Sequence, residues 1–168
     1  MGKSQSLNLN LMPLGTFLGT QRIFMEIGEL PLSNTADVMK VNITAGECIN
    51  RILQGKYPGE RFVPFNEAMS QGTYSAPLFS EEFVRERAVV HGVSETEYLE
   101  KLSGVMEVLK HAGEYDEIVL WFGDEPFCVA NRQTVLEALR GFGYRRSILL
   151  NIVHEETGDI IRQETVAT

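Results

Sequence analysis

The stretch YDEIVLWFGDEPFCVANRQTVLEALRGFGYRRSILLNIV, Tyr115 to Val153, decides the fold. It opens with an apolar strand, Glu117 to Phe122, which stops at Gly123-Asp124-Glu125-Pro126. A helix follows, bounded by Pro126 at its start and Gly141 or Gly143 at its end, the usual placement of those residues. Val135, Leu136 and Leu139 form its apolar stripe. A second apolar strand runs from Ser147 to Val153. Strand, helix and strand in this order make a βαβ unit, which implies a parallel strand pair.

Working back from it, Ser94-Glu95-Thr96-Glu97 is a capping box. The helix it opens carries Tyr98, Leu99, Leu102, Val105, Met106 and Leu109 on one face. A second helix begins at the Ser80 cap with Glu81-Glu82 in its first turn and ends at Gly92. Further back, residues 38–44 alternate apolar Met39, Val41 and Ile43 with polar Lys40, Asn42 and Thr44, a half-buried strand. Ala45-Gly46-Glu47 turns into a short helix with Ile49, Ile52 and Leu53, and Arg61 to Phe65 is a brief strand that Pro64 either ends or pushes to an edge. Residues 38–65 are thus a second βαβ unit. Between the units, Asn66 to Leu78 reads as a loop with one helical turn at Asn66–Met69. Past Val153, residues 154–159 form a turn and Ile160-Ile161 start an antiparallel edge strand.

The expected architecture is an α/β three-layer domain over residues 38–168. Its mostly parallel sheet is built from two βαβ units, with helices on both faces and an antiparallel edge strand at the C-terminus. Residues 1–37 read differently. Either Leu7, Leu9 and Leu11 pair with residues 21–27 as a hairpin, or the segment is a loosely attached extension, with Met39 as an alternative start.

Composition narrows the function. The 168 residues carry 15 Lys and Arg against 23 Asp and Glu, a formal charge of −8. A nucleic-acid backbone requires clustered cations, and the one tight pair is Arg145-Arg146, so neither nucleic acid nor an anionic membrane is an expected partner. A chain of this length buries about 70% of its unfolded surface and needs no metal or disulfide staple. Cys48 and Cys128 form no CxxC motif. No apolar run approaches the roughly 20 residues of a membrane span, the start is a poor secretory signal, and the expected location is the cytoplasm.

Open parallel sheets bind ligands beyond the carboxyl ends of their strands. Two such ends stand out. Thr44-Ala45-Gly46-Glu47 opens a helix, whose amino end attracts anions, although no GxGxxG or GxxxxGK[ST] is present. Gly123-Asp124-Glu125 follows Trp121, itself a core residue or a stacking platform for a ligand, and offers adjacent carboxylates, suited to a cation, a ribose or general acid–base work by Asp124 and Glu125. An ordinary capping role for these acids is the competing reading. Asn66, Glu67, Gly72 and Tyr74 lie on the long loop, placed to close over a ligand or to form plain surface. His91, His111 and His154 have no metal-ligand spacing, and no metal is expected.

The order VNITAGECINRIL, FVPFNEAMSQG, two helices and YDEIVLWFGDEPFCVANRQTVLEAL resembles the bacterial family catalogued as domain of unknown function 1835, over about residues 39–154. Glu67, Ala68, Gly72, Leu120, Trp121 and Phe122 carry the resemblance. This chain departs from the family pattern at Glu47, at Phe65-Asn66, where Trp-Arg is typical, and at Thr73, where proline is typical. The resemblance implies no established reaction and no particular cofactor. The leading expectation is a small anionic ligand, phosphorylated or nucleotide-like, held where the Thr44–Glu47 turn, the long loop and Asp124–Glu125 converge. The alternative is a non-catalytic protein-interaction or regulatory domain.

Overall fold

The computed structural model describes residues 38–168, and these form one five-stranded sheet. The hairpin or extension expected of residues 1–37 lies outside the described residues. β1 (Lys40–Thr44) sits between β2 (Phe62–Pro64) and β3 (Glu117–Phe122), parallel to both. β4 (Ile148–Val153) extends the sheet parallel to β3, and β5 (Ile160–Val166) closes it antiparallel to β4. Both βαβ units therefore form as the apolar patterning implies. Pro64 ends a three-residue edge strand, where its missing N–H breaks no ladder.

Alternation within the strands distributes the helices. Val41, Ile43, Ile118, Leu120, Ile148 and Leu150 face one side. There they pack on α2 (Glu81–His91), α3 (Glu95–Lys110) and α4 (Pro126–Gly141). The other face carries α1 (Glu47–Lys56), anchored by Ile49 and Leu53 on Phe62, Val119, Trp121 and Val153. Each fully buried anchor of this size contributes about 1.5–3 kcal/mol, so α1 depends on few contacts. The result is three layers, with helices on both faces and a mixed sheet. No helix among the described residues is long and apolar enough to cross a membrane.

The caps read from sequence form. The Ser80 side chain accepts from the Phe83 amide, and Ser94 with Glu97 completes a reciprocal capping box. Residues 66–68, in contrast, are not helical. The chain there runs irregularly and turns at Gln71, whose amide donates to the Ala68 carbonyl at 2.9 Å. Buried side-chain bonds, described below, hold this segment and replace a helical ladder.

Candidate functional site

The strand order places the site. From β1 the chain leaves toward β2; from β3 it leaves toward β4. The two connections diverge, and a crevice opens between their starting points at the carboxyl edge of the sheet. The register Thr44↔Trp121 and the bond from the Ala45 amide to the Trp121 carbonyl, at 3.0 Å, hold those two ends side by side. The turns at Gly46 and Gly123 are consequently neighbours.

A cleft of about 230 Å³ occupies this crevice. Ala45, Gly46, Glu47, Cys48 and Ile49 line it from the start of α1. Gly123 and Phe127 line it from the start of α4, and Val153 and Glu155 from the end of β4. Two helices present their amino ends here, and neither has a side-chain cap. At α1 the amides of Glu47, Cys48 and Ile49 precede the first intrahelical bond, from the Asn50 amide to the Gly46 carbonyl at 3.1 Å. These are the orphan donors of a helix terminus, and the helix dipole adds partial positive charge beside them.

Of the carboxylates nearby, Glu155 lines the cleft opposite these amides, Glu47 belongs to α1 itself, and Asp124 and Glu125 stand beside the cleft. Asp124 lies 3.5 Å from Arg162 and 4.0 Å from Arg132, and Glu47 lies 3.0 Å from Arg51, so both are charge-compensated. Glu125 and Glu155 have no basic partner among the described residues. Both instead approach Cys128, which is buried and donates its thiol proton to Glu155 Oε1 at 3.0 Å. Burial, reinforced by Glu155, pushes the Cys128 thiol up to about 12, against a smaller opposing pull from the Gly123 amide. A thiol held so firmly is no nucleophile near neutrality. Donor atoms of Glu125, Cys128 and Glu155 lie within 4.8 Å of one another, close enough for a single cation. The thiol proton is already engaged by one oxygen of Glu155, which leaves the other oxygen and Glu125 open.

Gly46, Glu47 and Gly123 thus line the cleft. A side chain at Gly123 would strike the Glu125 carboxylate, so glycine is what lets that acid fold back over the turn. Thr44 is buried beneath the cleft, its hydroxyl donating to the Asn50 side-chain oxygen at 3.1 Å. Asn66 does not line the cleft; its side-chain oxygen lies 3.9 Å from where a Gly46 side chain would begin. Asp124 and Glu125 line an adjoining acidic hollow with His154, Glu155 and Glu156. Glu155 is common to both spaces.

Other named residues are placed elsewhere. Trp121 lies on the α1 face of the sheet, where its indole N–H donates to Asn42 Oδ1 at 2.9 Å, packed between Tyr57 and Phe62. Tyr74 packs edge-on against Phe83. Gly72 has a left-handed φ of 64° and sits hard against Val90, where any side chain would clash. Glu67 is fully enclosed. Its carboxylate accepts from Arg87 at 2.6 Å, from the Ala68 amide at 2.8 Å and from the Tyr98 hydroxyl, with His91 Nε2 at 2.6 Å. Asn131 adds two bonds, to the Glu67 carbonyl and from the Met69 amide. These bonds fasten the long loop to α2, α3 and α4.

Comparison with family models, with curated proteins and with solved structures returns no significant match. The site is therefore interpreted from its own chemistry. Sequence reasoning missed Glu155, Cys128, Phe127 and Cys48. Glu155 follows the end of β4 by two residues. Its signal was that β4 must lie beside β3, which makes its exit a third wall of the same crevice. Cys128 and Phe127 occupy the first turn of the helix that Pro126 opens, a position the acidic turn overshadowed.

Proposed function

We propose that the cleft binds a small anionic ligand, phosphorylated or nucleotide-like, with its anionic group on the amides of Glu47, Cys48 and Ile49. The observation that carries this reading is the uncapped amino end of α1 opening into a cleft at the divergence of β1 and β3. Hydrogen bonds to a charged acceptor are worth about 1.5–3 kcal/mol each. The unpaired Glu125 and Glu155 oppose a bare anion and favour a ligand whose far end bears hydroxyl or amine donors. A volume of about 230 Å³ is below the range of roughly 300–1,000 Å³ usual for drug-sized ligands. It suits a sugar phosphate, or the ribose phosphate of a nucleotide whose base projects outward. Binding is the function supported; Asp124 and Glu125 as acid and base remain a proposal within it. The free thiols fit a cytoplasmic setting.

A thermal-shift panel of inorganic phosphate, ribose 5-phosphate and AMP, each with and without magnesium, tests the reading. Ligand at 100 times its dissociation constant stabilises the fold by roughly 2.7 kcal/mol. Cys48→Trp, at an exposed position on the cleft, should abolish the shift while leaving the unliganded melting temperature nearly unchanged. Equal shifts in wild type and Cys48→Trp would remove the ligand from this cleft.

A further inference from the structure

The two edges of the sheet are finished differently. β2 is three residues long and ends in proline, which blunts it as a pairing template. β5 is seven residues long, contains no proline, and is exposed along nearly its whole length. Its outer edge carries a row of backbone donors and acceptors that β4 does not use. Ile161 and Ile160, at its start, are 63% and 45% exposed. The far end of the strand is tied down. Beyond it, the Ala167 carbonyl accepts from Arg140 and the Thr168 hydroxyl donates to the Arg146 carbonyl.

We infer that β5 pairs antiparallel with β5 of a second copy of this chain, centred on Gln163, to give one continuous sheet across a two-fold axis. Charge selects the occupant and the register. A two-fold perpendicular to the sheet keeps every side chain on its own face, so residues of like parity meet across the regular stretch 162–166. Centring on Arg162 sets two guanidiniums against each other, and centring on Glu164 sets two carboxylates together. Centring on Gln163 places Arg162 of each copy opposite Glu164 of the other, two favourable cross-strand pairs at once. Within each copy Arg162 also bonds its own Glu164 at 2.5 Å and lies 3.5 Å from Asp124, so the two copies' charges form one network across the axis. The same register brings Thr165 and Val166 of one copy alongside the exposed isoleucines of the other. The register shift between β4 and β5 falls at Ile152/Val153, outside the central pairs. A single strand pair makes a small interface, in the class of weak and transient complexes below about 1,200 Å², so the dimer is concentration-dependent.

Charge variants of the full chain decide the matter in sedimentation velocity over a concentration series up to about 100 µM, which covers the micromolar affinity class. Arg162 and Glu164 are 51% and 43% exposed, so both substitutions leave the fold intact, as circular dichroism would verify. Wild type is expected to dimerise. Arg162→Glu alone and Glu164→Arg alone should each be monomeric, because each sets like charges together. An equimolar mixture of those two variants should dimerise again. The introduced glutamate of one copy then faces the introduced arginine of the other, and the native Glu164 of the first faces the native Arg162 of the second. Gln163→Cys should form an intermolecular disulfide under mild oxidation. A wild type monomeric throughout the series overturns the inference. So does dimerisation unaffected by either charge variant, or a mixture of the two that stays monomeric.

Discussion

Two polar clusters lie inside this domain, and their difference shows how to tell a strut from a site. Around Glu67 both carboxylate oxygens are bonded: Arg87, His91 and the Ala68 amide converge on Oε1, Tyr98 donates to Oε2, and the side chain is closed to water. Around Glu155 the arrangement is open. Cys128 supplies one proton, Glu125 supplies another negative charge, and the rest of the capacity faces a cleft beneath free helix amides. The first cluster is satisfied by its own chain and fastens a loop. The second leaves carboxylate oxygens open to solvent and to anything that enters the cleft.

The largest expected effect falls on the closed cluster. Arg87→Met leaves the Glu67 carboxylate buried without its cation, a change that costs about 3–5 kcal/mol. Urea denaturation at pH 7 should show it as a lowered midpoint with little change in slope, and a loss below about 1 kcal/mol would mean that Glu67 reaches solvent. Tyr98→Phe removes one donor and keeps the ring, with an expected loss of about 1–3 kcal/mol.

Acid provides a graded test of the same cluster. Burial raises the Glu67 pKa, but hydrogen bonds from Tyr98, Arg87, His91 and the Ala68 amide outweigh it and hold the carboxyl below its usual range. The folded pKa is depressed, so the stabilisation is complete above the unfolded glutamate value of about 4.3 and is lost as pH falls through the folded pKa. Between pH 5 and pH 3 the wild type should lose more stability than Glu67→Gln does. Parallel pH curves for the two proteins would contradict this.

The open cluster should respond through reactivity and binding more than through stability. At pH 8 Cys128 remains a buried thiol bound to Glu155, whereas Cys48 is exposed on the cleft. Iodoacetamide followed by peptide mass spectrometry should modify Cys48 and spare Cys128 in the native protein; equal labelling would mean that Cys128 is open to solvent. The smallest stability change is expected for Glu155→Gln, within about 1 kcal/mol of wild type, together with weaker binding of ribose 5-phosphate in the thermal-shift panel. A large destabilisation would place Glu155 with Glu67 as a structural element.

Strands, caps and both βαβ units were legible because they depend on neighbours in sequence: alternation in β1, the apolar run of β3, the Ser94–Glu97 box, Pro126 before α4. The adjacency of the Gly46 and Gly123 turns followed once strand order was known, but strand order depends on pairing that no local pattern encodes. Glu67 shows the limit from the other side. A glutamate on a long loop looks like a ligand contact, and its burial became visible only when Arg87, 20 residues on, and Tyr98, 31 residues on, were brought to it. Glu155 was hidden in the same way. Its place two residues past β4 marked it as a strand-end residue, but nothing local tied it to Cys128.

The proposed site is tested most directly by amide chemical-shift mapping of the full chain titrated with ribose 5-phosphate. The expected result is saturable movement of the Glu47, Cys48, Ile49 and Gly123 amides, with those of Glu67 and Tyr98 still. Movement confined to residues away from the β1 and β3 ends, or no saturable movement of any amide at millimolar ligand, would contradict it.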